Sequence, residues 1–312
     1  MKLVVLDGHA LNPGDLSWDE LRKFGQLTVY PRTKKEDVKK RIADASIVFT
    51  NKTPIDEKAL EDSKVRFISV LATGYNIVDI QAAKARGIII SNVPSYGTLT
   101  VAQFATAMML ELSHQVGRHS KSVHRGDWTR SDDWTYLLSP QIELAGKTLG
   151  LFGLGRIGLA FAKIAEALGM EIIYHSRSKK DVPYSFVSLE DLFKESDFLS
   201  LHSSLNKQSL GVVNENTLGL MKKTAFIINC SRGPLIVEED LVNALKKGLL
   251  AGAALDVVNL EPMEKDSPLL GVENLILTPH IAWSTREARK RIMDSSLDNL
   301  KAFLEGRPIH EV

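Results

Sequence analysis

Residues 149–158 read Leu-Gly-Leu-Phe-Gly-Leu-Gly-Arg-Ile-Gly, an apolar run that breaks into glycines spaced G-x-G-x-x-G. The run Thr148 to Phe152 has the length of a buried strand. After the glycines, Ile157, Phe161, Ile164 and Leu168 lie at helical spacing, and Gly169 stops the pattern. A strand, a tight turn and a helix in that order commit the chain to a βαβ unit. Gly153 allows the turn, Gly155 lets backbone approach a pyrophosphate, and Gly158 lets helix and strand pack closely. The helix N-terminus adds N–H groups and a positive dipole end, so the turn is expected to hold a dinucleotide. The plainer alternative is a glycine-rich turn with no ligand. The flanking strand and helix favour binding.

The same alternation runs along the whole chain. Apolar runs at Leu3–Leu6, Leu27–Tyr30, Ile47–Thr50, Phe67–Leu71 and Ile88–Ser91 predict a first set of strands, with a helix over Val78–Arg86 closed by Gly87. Val101, Phe104, Ala105, Met108 and Leu112 predict a long, partly buried helix that continues towards His119. A polar segment with Trp128 and Trp134 follows, and these indoles either cap a pocket or staple the loop. Further strands are predicted at Thr148–Phe152, Glu171–His175, Phe198–His202, Ala225–Cys230, Ala251–Val257 and Leu275–Thr278, and the stretch Thr285–Leu304 is helical again. The fold class is therefore α/β, with two Rossmann-like or flavodoxin-like doubly wound parallel-sheet domains. A dinucleotide domain over 99–281 is inserted in a substrate domain made of 1–98 and 282–312.

A length of 312 residues suits two such domains. The formal charge of +1, from 39 basic and 38 acidic side chains, excludes the basic stripe of a nucleic-acid binder. Cys230 is the single cysteine, so no internal disulfide forms, in keeping with a reducing compartment. No apolar stretch reaches the roughly 18 residues that span a bilayer, and the apolar run at the N-terminus is too short for a signal peptide. A cytoplasmic enzyme without membrane or nucleic-acid partners is expected.

At the end of the second strand of a dinucleotide unit, an acid normally takes the ribose hydroxyls. Here the segment is Tyr174-His175-Ser176-Arg177-Ser178-Lys179-Lys180, and the first acid, Asp181, comes too late. Ser176, Arg177 and Ser178 suit a 2′-phosphate, since a guanidinium grips phosphate in a bidentate way. NADP(H) is favoured over NAD(H), with a solvated basic loop as the plainer alternative.

Three segments end strands of this domain, where open α/β sheets place ligands. They are Asn229-Cys230-Ser231-Arg232-Gly233, Asp256-Val257-Val258-Asn259-Leu260-Glu261-Pro262 and Thr278-Pro279-His280-Ile281-Ala282-Trp283. Hydride exchange with a 2-keto acid needs a cation for the carboxylate and a proton donor for the forming alkoxide. Arg232 fits the first, His280 the second, and Glu261 would orient His280 and hold its proton. Singly, each has a plain structural reading: a surface ion-pair partner, a satisfied core histidine, a solvated acid. Their joint placement after a nucleotide turn favours chemistry. His202, at another strand end, is a second candidate acid, unless His202-Ser203-Ser204 lines the cofactor site. No metal site is expected.

These motifs together resemble the D-isomer-specific 2-hydroxyacid dehydrogenase family over essentially the whole chain. The resemblance implies catalytic Arg232, Glu261 and His280. It implies cofactor contacts at Arg156, Ile157, Ser203, Cys230 and Asp256, with Asp256 at the nicotinamide end, and adds Thr73 and Trp283. It implies that Leu71-Ala72-Thr73-Gly74-Tyr75-Asn76 is the substrate-carboxylate loop, with the N–H groups of Ala72, Thr73 and Gly74 as the anion site, helped by Arg232, and with Asn51 and Lys52 nearby. It also implies a small keto- or hydroxy-acid partner and a homodimer built on the cofactor domains. The opening Leu6-Asp7-Gly8-His9-Ala10-Leu11-Asn12-Pro13-Gly14 and the Ala72–Asn76 loop resemble glycerate dehydrogenases, also called hydroxypyruvate reductases. Two alternatives stay open: a phosphoglycerate or other 2-keto-acid dehydrogenase of the same fold, and a non-catalytic dinucleotide-sensing protein.

Overall fold

The computed structural model describes residues 1–312. The chain forms two compact units: a split unit, Met1–Gly97 with Trp283–Val312, and a continuous unit, Thr98–Ala282.

The split unit holds five parallel strands: β1 (Lys2–Val5), β2 (Gln26–Val29), β3 (Ile47–Thr50), β4 (Phe67–Val70) and β5 (Ile89–Ser91), in the order β2-β1-β3-β4-β5. β3 and β4 are buried along their whole length, which explains their mostly apolar sequences. One face, through Val4, Val48, Ile68 and Ile90, packs on Ile42, Leu60 and Ala83. The other, through Leu3, Val5, Phe49 and Phe67, packs on Ile292 and Leu300 of the helix Arg286–Leu304. Phe67 stacks on Phe303 with ring centroids 4.6 Å apart. The chain reverses direction across the sheet between β1 and β3, a crevice of the kind where such sheets bind ligands. Here Asp7 closes it: its carboxylate accepts the N–H groups of Asn51, Lys52 and Thr53 at 2.8, 2.6 and 2.8 Å.

The continuous unit holds seven parallel strands: β6 (Thr148–Phe152), β7 (Glu171–His175), β8 (Ser185–Phe186), β9 (Phe198–Leu201), β10 (Phe226–Asn229), β11 (Gly252–Leu255) and β12 (Leu275–Leu277). Their order is β12-β11-β10-β9-β6-β7-β8, so the reversal falls between β6 and β9. Leu149, Leu151, Tyr174 and Ile228 face a layer that includes Met109 and Phe161. Phe152, Leu199, Leu201 and Ile227 face Leu192, Phe193 and Leu241.

The structure corrects two readings of periodicity. The long helix does not run on to His119: it ends at His114, and a second helix spans Val116–His124. Gln115 between them is left-handed, at φ 45°. The carbonyl of Ser113, which would receive the Gly117 N–H in a continuous helix, accepts the Ile142 N–H instead at 3.2 Å. In the helix Arg156–Ala167, the buried face is Gly158, Phe161, Ala162 and Ala165, while Leu168 is 38% exposed. Small residues carry this contact because the helix lies close to the sheet. The two-residue β8 was too short to register as a pattern.

Candidate active site

The three glycines of the nucleotide turn have three separate physical reasons. At Gly153 the backbone is left-handed, φ +98°, and a Cβ would stand 2.7 Å from the His202 carbonyl oxygen. At Gly158 a Cβ would stand 2.5 Å from the Gly153 oxygen. Gly155 has an ordinary φ of −81° and no atom within 4 Å of where a Cβ would be. Nothing in the protein requires glycine there, and the open space fits a close-lying group from outside. The helix opens at Gly155 without a side-chain cap, and its first internal bond is Leu159 N–H to Gly155 O at 2.9 Å. The N–H groups of the first turn therefore have no acceptor within the helix. This set of features fits a dinucleotide pyrophosphate.

At the end of β7, His175 stacks between Phe152 and Phe186 at 6.2 and 6.0 Å. The Ser176 hydroxyl donates to Ser178 O at 2.7 Å, and Tyr174 Oη accepts the Lys180 N–H at 2.8 Å, so the loop is folded back on itself. Arg177 and Lys179 are exposed and form no ion pair.

His202 is not placed to act as an acid. Its Nε2 meets Ser200 Oγ at 2.9 Å, its ring lies edge-on to Phe161, and burial lowers its pKa to about 4. Its neighbour Ser203 accepts the Ser231 hydroxyl through its carbonyl at 2.8 Å, which joins the loops after β9 and β10.

After β10, buried Asn229 shapes the turn: its Oδ1 accepts Ser231 N–H at 3.0 Å, and its Nδ2 donates to Arg232 O at 2.9 Å. The Arg232 side chain is thereby left exposed, with one guanidinium N–H on Ser231 O at 2.7 Å. A Cβ on Gly233 would fall 2.0 Å from Val258 backbone atoms, so this glycine lets the Arg232 turn abut the loop that carries Glu261. Cys230 turns its thiol to Met108 Sδ at 3.6 Å, and burial, with Asp256 nearby, pushes its pKa up, so it is no nucleophile.

His280 and Glu261 meet: His280 Nδ1 lies 2.6 Å from Glu261 Oε2, and Glu261 Oε1 accepts the Val258 N–H at 3.2 Å. A carboxylate at Nδ1 keeps a proton there and leaves Nε2 as the exchanging atom. His280 is itself left-handed, φ 54°, and its N–H donates to Asp256 O at 2.8 Å. The Asp256 carboxylate, 1% exposed, accepts Thr278 Oγ1, Ile281 N–H and Ala282 N–H at 2.6, 2.9 and 2.7 Å. Burial raises the Asp256 pKa, and those three donors act against the rise. Its side chain thus builds the loop that holds His280, a role beyond the expected cofactor contact.

The remaining expected residues lie in the split unit. Asn51 is buried and donates from Nδ2 to Leu71 O at 2.8 Å. Thr73 spends its hydroxyl on Val93 O at 2.8 Å. Ala72, Thr73 and Gly74 donate from their own N–H groups to no acceptor in the chain. Trp283 packs edge-on to Tyr96, 6.3 Å away, partly buried against the core of the split unit. A groove of about 550 Å³ in this unit, between residues 14–21 and the helix Arg286–Leu304, is lined by Leu71 at the start of the expected carboxylate loop and by no other expected site residue. Asp7, Asn92, Asn229 and Asn299 were missed. Asp7, Asn92 and Asn229 carried a signal, each being a polar residue directly after or ending an apolar run, and Asn299 carried none.

Residues 106–282 match the model of the D-isomer specific 2-hydroxyacid dehydrogenase NAD binding domain. The chain is 48% identical to a hydroxypyruvate reductase of Blautia hydrogenotrophica, over 100% of this chain and 99% of the relative. Among solved structures, the TT0316 protein of Thermus thermophilus superposes with a TM-score of 0.89 at 35% identity, covering 100% of both chains. An NADPH-dependent glyoxylate/hydroxypyruvate reductase of Sinorhizobium meliloti, solved with NADP and malonate, superposes with a TM-score of 0.85 at 29% identity, covering 100% of this chain and 96% of that one. No helix is long and apolar enough to cross a membrane.

Proposed function

Because this chain belongs to the D-isomer-specific 2-hydroxyacid dehydrogenase family, we propose that it reduces hydroxypyruvate or glyoxylate to D-glycerate or glycolate. The observation that carries the mechanism is the His280–Glu261 pair at 2.6 Å, held by the Asp256 loop. The bound nicotinamide dinucleotide supplies the hydride. His280 Nε2 gives its proton to the carbonyl oxygen as that oxygen gains charge, and Glu261 stabilises the imidazolium beforehand. The reverse direction uses the same atom as base. Arg232 binds the substrate carboxylate and polarises the carbonyl, with the N–H groups of Ala72, Thr73 and Gly74 as the split unit's contribution. Gly155, Arg156 and Ile157 take the pyrophosphate.

NADP(H) is the preferred cofactor in this reading. Arg177 and Lys179 carry no carboxylate partner, and the Sinorhizobium meliloti relative was solved with NADP. The working form is a cytoplasmic homodimer through the continuous units, supported by the exposure of Trp134 and Leu137 at 88% and 67%.

The test is loss of reduced-cofactor absorbance with hydroxypyruvate or glyoxylate, with NADPH and NADH in parallel. Turnover with NADPH exceeding that with NADH is expected, and Arg177→Asp should move the preference towards NADH. A preference unmoved by that change would discard the phosphate role of the loop. Cofactor binding without turnover on any 2-keto acid would favour a sensor.

A further inference from the structure

The loop after β4 is tied down through its acceptors. Leu71 O accepts Asn51 Nδ2 at 2.8 Å, Ala72 O accepts Val93 N–H at 3.0 Å, and Thr73 O accepts Asn92 Nδ2 at 2.8 Å. A peptide unit is planar, so each carbonyl shares its plane with the next N–H. Fixing the carbonyls of Leu71, Ala72 and Thr73 therefore fixes the N–H groups of Ala72, Thr73 and Gly74, the three that find no acceptor in the chain.

Asn92 is in turn held from behind. Its carbonyl accepts Asn299 Nδ2 at 2.9 Å, Asn299 Oδ1 faces His310 Nδ1 at 2.9 Å, and Asn92 N–H donates to His310 O at 3.1 Å. Asn299 is fully buried and Asn92 is 7% exposed. Both ends of the Asn299 amide are committed, which sets its orientation. Residues 309–312 complete the hold beside the edge strand β5: Ser91 Oγ donates to Ile309 O at 2.7 Å and Val312 N–H to Ile90 O at 3.1 Å.

We propose that Asn51 and Asn92, the latter held by Asn299, are positioning residues that aim three backbone N–H groups at the substrate carboxylate. The assignment rests on the anion-loop reading above. It changes the part played by Asn51, expected to line the site: its amide reaches the loop backbone.

The test compares steady-state kinetics of Asn92→Ala, Asn299→Ala and the double variant. Losing one aligned hydrogen bond at a buried site corresponds to about a tenfold change. The KM for the keto acid should rise by about that factor in Asn92→Ala and less in Asn299→Ala, with the KM for cofactor unchanged. Because Asn299 acts through Asn92, the double variant should be no worse than Asn92→Ala. Additive effects, or equal rises in both KM values, would overturn the proposal. Gly74→Pro, which deletes one of the N–H groups, separates this from the reading beneath it. A raised keto-acid KM in Gly74→Pro with none in the amide variants removes the positioning role and leaves the loop. An unchanged KM in Gly74→Pro removes both.

Discussion

Two histidines follow strands of the continuous unit, and their surroundings set them apart. His280, after β12, has a carboxylate 2.6 Å from Nδ1 and a backbone bend held by buried Asp256. His202, after β9, has a serine hydroxyl at Nε2, an aromatic edge, and no acid among its contacts. The same side chain is thereby prepared to carry a proton at one strand end and prevented from doing so at the other. A paired acid favours the imidazolium, while burial without one disfavours it. Position at a strand end, which made both candidates from sequence, does not distinguish them. The second group each ring meets does.

The comparison is most directly broken by His280→Ala. We expect kcat to fall by about 10² to 10⁴, the usual worth of a positioned acid, with cofactor affinity measured by fluorescence titration unchanged. A parallel loss of cofactor affinity would mean that His280 supports binding rather than proton transfer. Glu261→Gln should have the next largest effect, about ten- to a hundredfold in reductive turnover, since the amide replaces the carboxylate that accepts from His280 Nδ1 and fixes the ring's tautomer. Steady-state kinetics would show this, and a kcat within about twofold of the native value would reduce Glu261 to a spacer.

His202→Gln should have the least effect on turnover, within about twofold, since general-acid work is the part it lacks. Its effect appears in stability. The folded pKa of about 4 lies below the ordinary 6.5, so the unfolded chain binds a proton that the fold refuses. Stability from this group is intact above about pH 6.5 and is lost as the pH falls towards 4, by no more than about 3 kcal/mol. Denaturant melts between those pH values should have a shallower slope in His202→Gln than in the native protein, and identical slopes would contradict the burial argument.

The strands were legible because both faces of each sheet are covered, which buries β3, β4, β9 and β10 along their whole length and makes their sequences mostly apolar. The glycine turn was legible because its three glycines fall within six residues, with steric demands at Gly153 and Gly158 and open space at Gly155. Gln115 was not, since apolar spacing continues past it and the break comes from a remote donor, Ile142 N–H. The Ala72–Gly74 loop was found only by family resemblance. Its supports, Asn51, Asn92 and Asn299, are scattered across the chain and have no shared spacing. Asp256 was recognised as a site residue, but its work on the His280 loop depends on Thr278, Ile281 and Ala282 lying around its carboxylate. Motifs report contacts made within a turn, and contacts gathered from distant segments leave no local pattern.

The split unit also has a history in time. The helix Arg286–Leu304 that covers Leu3, Val5, Phe49 and Phe67 reaches the ribosome exit only after those strands have long since left it. All of Thr98–Ala282 is synthesised in between. A nascent chain can thus finish its second sheet while the first waits with an apolar face bare, and with Leu11 O and the Asp15 carboxylate still without the Arg289 guanidinium that they later accept from. That interval is fixed by chain order alone and closes only when the helix Arg286–Leu304 emerges.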